Sequence, residues 1–182
     1  MNSKSLLSLL ALVFALTALP HCGGGGGGGG GAAVAPRPTT AVLNLSTANP
    51  GGLPANTIIT GYDVTITLPA GVTVKSTTPP EVDDGVATVT GAAAAAPGSS
   101  IAAVYSPAAG VDPAKVRIII ANGNGFSAGA FCKITCNIDA GSAPSKADFA
   151  KPTLAASGYN SNSDSTVDLT ADLSVDAAVS IK

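Results

Sequence analysis

The sequence predicts an all-β fold: a β-sandwich of many short strands, forming a single domain behind a Gly-rich tether. Three observations predict it. Period-two alternation of apolar and polar residues runs through the body of the chain. Turn chemistry interrupts that alternation at short intervals. From Val167 to Ile181 every odd position is apolar, while Asp168, Asp172 and Asp176 take the opposite face.

Taken in order, the chain starts with the basic Lys4 and an apolar run, Leu6 to Leu19. A bilayer span needs roughly 20 apolar residues, so this run is too short to cross and fits the apolar segment of a secretory signal. Leu19-Pro20-His21-Cys22 resembles the lipobox of bacterial lipoproteins, with Leu three residues before the Cys. His21 stands where that family usually has Gly, Ala or Ser, and Pro20 is uncommon there. The resemblance implies that residues 1–21 are a signal peptide and that Cys22 is diacylated and becomes the mature N-terminus. It implies a membrane partner through the lipid anchor and a place in the cell envelope. Gly23 after the Cys resembles the pattern sent on to the outer membrane.

The nine glycines Gly23–Gly31 then have a use. Glycine buries no side chain and loses the most backbone freedom on folding, so the run does not belong in a core. As a flexible tether, the linker from Gly23 to Pro38 would span about 20–24 Å end to end. Pro36-Arg37-Pro38 stiffens its end. Residues 22–38 are thus read as lipidated Cys and linker, and 39–182 as the sandwich domain.

Composition narrows the function. Hydrophobic residues make up 46% and charged residues 11%, too few charges for disorder in the body. The formal charge is −2, with no basic patch, so nucleic-acid binding has no electrostatic footing. The single His is His21, inside the signal, so no Ser-His-Asp arrangement can form in the body. There is no C-x-x-C-H haem motif and no phosphate loop, and no cofactor is expected. Cys132 and Cys136 lie on one face of "AFCKITCNI". Four residues along a strand is about 13 Å, beyond the ~7 Å a disulfide tolerates, so two buried free thiols are expected.

The body reads as follows. In "GYDVTITLPAG", Tyr62, Val64, Ile66 and Leu68 face the core, and Asp63, Thr65 and Thr67 face away. Pro69-Ala70-Gly71 ends that strand. "VTVKS" and "GVATVTG" are short strands around a loop at 77–85, and "SIAAVYS" is another. "AKVRIIIANG" puts Val116, Ile118 and Ile120 on one face and Ile119 on the other, as in a strand inside a sheet. "NGNGFSAGAF" reads as a Gly-rich hairpin or bulge. Ser145 to Phe149 is the one helical turn expected. The apolar alternation from Val167 to Ile181 is too long for one strand, so a break is expected near Asp176-Ala177.

The order of "ITGYDVTITLPAGVTV", "KVRIIIANGNGFSAGAFCKITCNI", "SKADF" and "SGYNSNSDSTVDLTADLSV" resembles the cohesin and carbohydrate-binding-module superfamily of nine-stranded jelly rolls. The resemblance covers about Thr40 to Ile181. It implies a non-catalytic binding module, since cohesins bind dockerin modules through one sheet face. No residue set here carries that contact over.

Candidate sites follow. Asp63, Thr65 and Thr67 on one face, or Asn122, Asn124 and Phe126 in a loop, are candidates for contact with a protein partner. Asn160-Ser161-Asn162-Ser163-Asp164 superficially resembles a calcium loop, but the positions of an EF-hand's Gly and Glu hold Ser165 and Ala171, so a polar turn is the better reading. Asp83 and Asp84, with Glu81, read as a solvated acidic loop before a metal site. Asp168, Asp172 and Asp176 read as solvent-facing strand positions before catalytic carboxylates. Sugar modules stack rings on exposed aromatics; this chain has no Trp, and Tyr105, Tyr159 and Phe126 are the only candidates for exposed rings. The expectation is therefore a surface-tethered lipoprotein that binds a dockerin-like or other surface protein or a matrix component. A structural envelope lipoprotein and a carbohydrate-binding module are the alternatives, with polysaccharide less favoured than protein.

Overall fold

A computed structural model describes residues 36–182. The signal segment, Cys22 and the glycine run lie outside the described residues. Alternation becomes strand almost throughout: β1 (Thr40–Ala48), β2 (Thr57–Thr67), β3 (Val72–Thr73), β4 (Ala87–Val89), β5 (Ser100–Ser106), β6 (Lys115–Phe126), β7 (Ala130–Ile138), β8 (Thr153–Asn160), β9 (Ser165–Asp168) and β10 (Ser174–Ile181). They form two antiparallel sheets, the expected sandwich. One runs β10-β1-β7, with β3 and β4 end to end along the far edge of β7. The other runs β5-β6-β2-β8-β9.

The core lies between them. Ala41, Leu43 and Leu45 of β1 and Cys132, Ile134 and Cys136 of β7 point in from the first sheet. Ile59, Val64 and Ile66 of β2 and Val116, Ile118 and Ile120 of β6 point in from the second. Ile119 faces solvent, as its phase requires. Tyr62 bridges the sheets: its ring meets Phe131 of β7 at 4.9 Å and Phe126 at 5.0 Å between centroids. Its hydroxyl shares a 2.7 Å hydrogen bond with the buried Thr47 hydroxyl of β1.

Four local readings change. A short helix, α1 (Gly91–Ala95), follows β4 where the sequence shows only an alanine run. "VTVKS" keeps just two residues of strand, β3. "NGNGFSAGAF" is a bulge and then a crossing between sheets, since β6 lies in one sheet and β7 in the other. The register of β6 against β2 jumps from Ala121↔Gly61 to Phe126↔Ile59, so Asn122 to Gly125 loop out of the ladder. The C-terminal break falls at 169–173, ahead of Asp176-Ala177. Its cause is local: the Asp168 carboxylate accepts from the Thr170 backbone N–H (2.8 Å), and the Asp172 N–H donates to the Leu169 carbonyl (3.0 Å). Ala171 sits exposed at that turn although its position in the alternation is apolar. The turn expected at Ser145–Phe149 is a 3₁₀ turn over Lys146–Asp148, closed by a Ser145–Asp148 capping box.

Both body cysteines are free and buried. Burial pushes both thiols up to about 12, from an ordinary value of 9.0. Thiol reagents at neutral pH should therefore leave Cys132 and Cys136 untouched in the folded protein and label both after denaturation. Each thiol's folded value lies above its unfolded one, so burial favours the folded state only while the thiols stay neutral. The contribution of the buried neutral thiols is complete below about pH 9 and is lost as pH rises through that value toward 12. Labelling of either thiol in the native state, or denaturation midpoints flat across that alkaline window, contradicts this.

Candidate functional site

The outward residues of β2 sit in the middle of the five-stranded sheet, and pairing arranges them in rows. Asp63 lies between Ile119 of β6 and Ala155 of β8. Gly61 lies between Ala121 and Ser157, and Ser157 is followed by Asp168 of β9. Beyond the bulge, Ile58 pairs with Tyr159, and Tyr159 with Thr166. Small side chains in the central row leave a groove of ≈ 480 Å³ on this outer face. The floor is tight at Gly61, where a Cβ would come within 2.8 Å of the Ser157 hydroxyl and oblige that side chain to rotate.

Ile119 lines the groove, while Ile58 and Tyr159 pair with each other on the same face outside its lining. Ile58, Ile119 and Tyr159 are 41%, 39% and 37% exposed, which is unusual for three large apolar groups on one sheet face. Asp63 is half-buried and engaged by Arg117 of β6, whose Nε donates to Oδ1 at 2.9 Å and whose Nη2 donates to Oδ2. That hydrogen bonding, and with it the guanidinium charge, holds the Asp63 carboxyl below its usual range. The pair is exposed and screened by solvent, so it adds little to stability. It does fix a polar edge beside Ile119. Thr65 and Thr67 continue outward along β2, half-buried.

The loop candidates separate. Asn124 is exposed, but Asn122 and Phe126 are buried. Asn122 serves the bulge: its Nδ2 donates to the Pro97 carbonyl (3.0 Å) and the Ser99 hydroxyl (2.9 Å), and its Oδ1 accepts from the Asn124 N–H (2.8 Å). A polar side chain is held inside because looped backbone groups need partners. Phe126 packs edge-on against Tyr62. Neither residue is available to a partner. Tyr105 is also buried, so Tyr159 is the one exposed aromatic among the described residues.

The acidic candidates are occupied locally or stand apart. Asp83 accepts from the Thr77 N–H (2.6 Å) and hydroxyl (2.7 Å) and lies 3.4 Å from the Lys75 ammonium. The hydrogen bonds from Thr77, and then Lys75, hold its carboxyl below the usual range. Asp84 points to solvent. Asn160 ties the β8–β9 turn, accepting from the N–H groups of Asn162 and Ser163 and donating to the Ala55 carbonyl. Asp164 accepts from the Tyr159 hydroxyl, which raises that phenol above its usual range. Asn162 is exposed on the same turn. Among the described residues no three His, Cys, Asp or Glu side chains gather as a metal-binding set.

The groove was not legible in the sequence. Its one local signal is the run of Gly, Ala and Ser at outward positions of central strands, where larger residues are usual. No protein-family model, no curated protein and no solved structure matches the chain.

Proposed function

We propose that this chain is a non-catalytic, lipid-anchored protein of the cell envelope, held through Cys22 and its glycine tether, whose sandwich binds a protein partner on the outer face of the β5-β6-β2-β8-β9 sheet. The observation that carries the reading is a groove of small side chains with the exposed Ile119 in its lining, and the exposed pair Ile58–Tyr159 on the same sheet face. Exposed apolar groups clustered on one face cost solubility and are characteristic of an interaction surface. The Asp63–Arg117 pair supplies a polar edge to orient the partner. Tyr159, the single exposed ring among the described residues, offers a sugar little to stack on.

The test is a paired capture from solubilised envelope and secreted proteins, with the full chain and its Ile119→Asp variant as baits. Ile119 lies outside the core, so the substitution spares it while placing a charge in the contact; because that charge faces Asp63 across the strands, the variant's unfolding transition is compared with the wild type's before capture is scored. We expect a protein retained by the wild type and held at least ~10-fold more weakly by the variant, a loss of about 1.4 kcal/mol or more. Equal capture by both baits removes this face from the interaction. Capture of nothing by either bait leaves a passive structural role in the envelope.

A further inference from the structure

β10 closes one edge of its sheet, and its pairing with β1 decides which of its backbone groups are used. The Lys182 N–H donates to the Thr40 carbonyl (2.8 Å), and the Thr40 N–H donates to the Lys182 carbonyl (3.1 Å). In the unbroken antiparallel register that follows, Ser180, Ala178, Asp176 and Ser174 exchange hydrogen bonds with Val42, Asn44, Ser46 and Ala48. The alternate residues Val175, Ala177, Val179 and Ile181 turn their N–H and C=O groups outward. Among the described residues no strand pairs with that side, and no backbone group of a turn or loop bonds to it.

The other edges differ. The outer side of β5 is engaged by the loop before it, through Val82 N–H to the Ala103 carbonyl (3.2 Å) and Tyr105 N–H to the Pro80 carbonyl (2.7 Å). β9 has only four residues and β4 three. β10 presents eight residues with no proline and no lysine inside the strand, and one charge, Asp176. An edge of that length and composition lacks the devices that usually keep strands apart.

We propose that two copies of this chain pair antiparallel through β10, across a two-fold axis at Ala178, joining their β10-β1-β7 sheets. The outward-bonding residues are all odd-numbered and must oppose one another. Centring the axis on Ala178 sets Val175 against the partner's Ile181 and Ala177 against the partner's Val179. It also sets Asp176 against the partner's Ser180. Asp176 is then diagonal to the partner's Lys182, at a spacing of roughly 7–8 Å that a long side chain can reach. An axis on Asp176 would instead oppose two carboxylates and shorten the ladder. On the inner side, Ala177, Val179 and Ile181 are only half-buried in the single chain, and the pairing covers them. A strand from another protein would gain the hydrogen bonds but not this match of charge and length with itself.

The experiment uses the full-length chain in its host envelope. Ala178 opposes its own copy in a non-hydrogen-bonded pair, with Cα atoms about 4.5 Å apart, within disulfide range. Ala178→Cys should therefore give a disulfide-linked dimer on a non-reducing gel. Asn44→Cys, exposed on the same outer face but one strand inward, should give no more than the wild type. Ala177→Pro removes only an outward N–H and leaves the β1 ladder intact. It should convert the detergent-solubilised dimer to single chains without losing the folding transition, and should abolish the Ala178→Cys crosslink. The proposal is overturned by a wild-type chain of single mass throughout, by equal crosslinking at positions 44 and 178, or by a dimer that survives Ala177→Pro. The cysteine comparison decides the matter even if the proline variant does not fold. Neither readout depends on the sheet-face partner.

Discussion

Replacing Phe131 with alanine should lower the unfolding free energy by about 3–5 kcal/mol, the largest loss expected from any single truncation here. Phe131 is the largest of the fully buried side chains, at 1% exposure. It enters from β7 in one sheet and meets Tyr62 from β2 in the other, with centroids 4.9 Å apart and rings tilted by 56°. Tyr62 in turn meets Phe126 edge-on and holds Thr47 of β1 through its hydroxyl. Truncation thus loses the transfer free energy of the ring, opens a cavity between the sheets, and removes an aromatic contact worth about 0.5–1.5 kcal/mol beyond its area. The neighbours cannot close the gap easily. Tyr62 is held by Thr47, and Phe126 lies just beyond the bulge that Asn122 pins. Against a typical total of about 5–15 kcal/mol, the variant keeps a small margin at best. Denaturant titration of wild type, Phe131→Ala and Phe131→Leu provides the check, with the leucine variant falling between the other two. A loss under about 1 kcal/mol for alanine would mean that the ring does not join the sheets as described.

The same residues show what the sequence could and could not reveal. Val116, Ile118 and Ile120 announce the buried face of β6 because period two is a property of one strand, and one strand is local. Tyr62 falls in phase with Val64 and Ile66 for the same reason, and its burial is legible there. Asn122 is different. Its burial is set by the carbonyl of Pro97 and the hydroxyl of Ser99, groups more than twenty residues away that loop backbone brings together. No local pattern carries that. The break falls after Asp168 and not at Asp176-Ala177, because alternation continues in composition through Ala171 while the chain obeys the Asp168–Thr170 hydrogen bond and turns. The groove depends on the register of four strands, which long-range pairing sets. Its residues read singly as unremarkable alanines, serines and a glycine.

Gly158→Ala should destabilise the protein by about 1–3 kcal/mol, although alanine is ordinarily the better residue in a strand. Gly158 lies on β8 between Ile59 and Val167, at backbone angles open to any residue. On entropy alone the substitution would stabilise by roughly 0.4–1 kcal/mol. Space decides otherwise. A Cβ here would come within 2.5 Å of Leu169 Cδ1 and 2.6 Å of the Ile58 carbonyl oxygen. Leu169 is fully buried and crosses over Gly158 to reach the core from the β9–β10 turn. It could be displaced only by giving up that burial. The Ile58 carbonyl belongs to the backbone beside the β2 bulge, where the register against β8 already shifts, so it cannot rotate away as a side chain would. Two of the groove's walls, Ser157 and Asp168, flank these groups, so the shift should weaken partner binding together with stability. Leu169→Ala separates the two clashes. In the Gly158→Ala background it relieves the side-chain contact but leaves the carbonyl contact in place, so the double variant should be more stable than the sum of the single losses predicts and still less stable than wild type. Denaturation midpoints of the four proteins measure that coupling. A Gly158→Ala protein at least as stable as wild type would show that β8 can move away from β2 at no cost, and with it that the groove between them has no fixed shape for a partner to read.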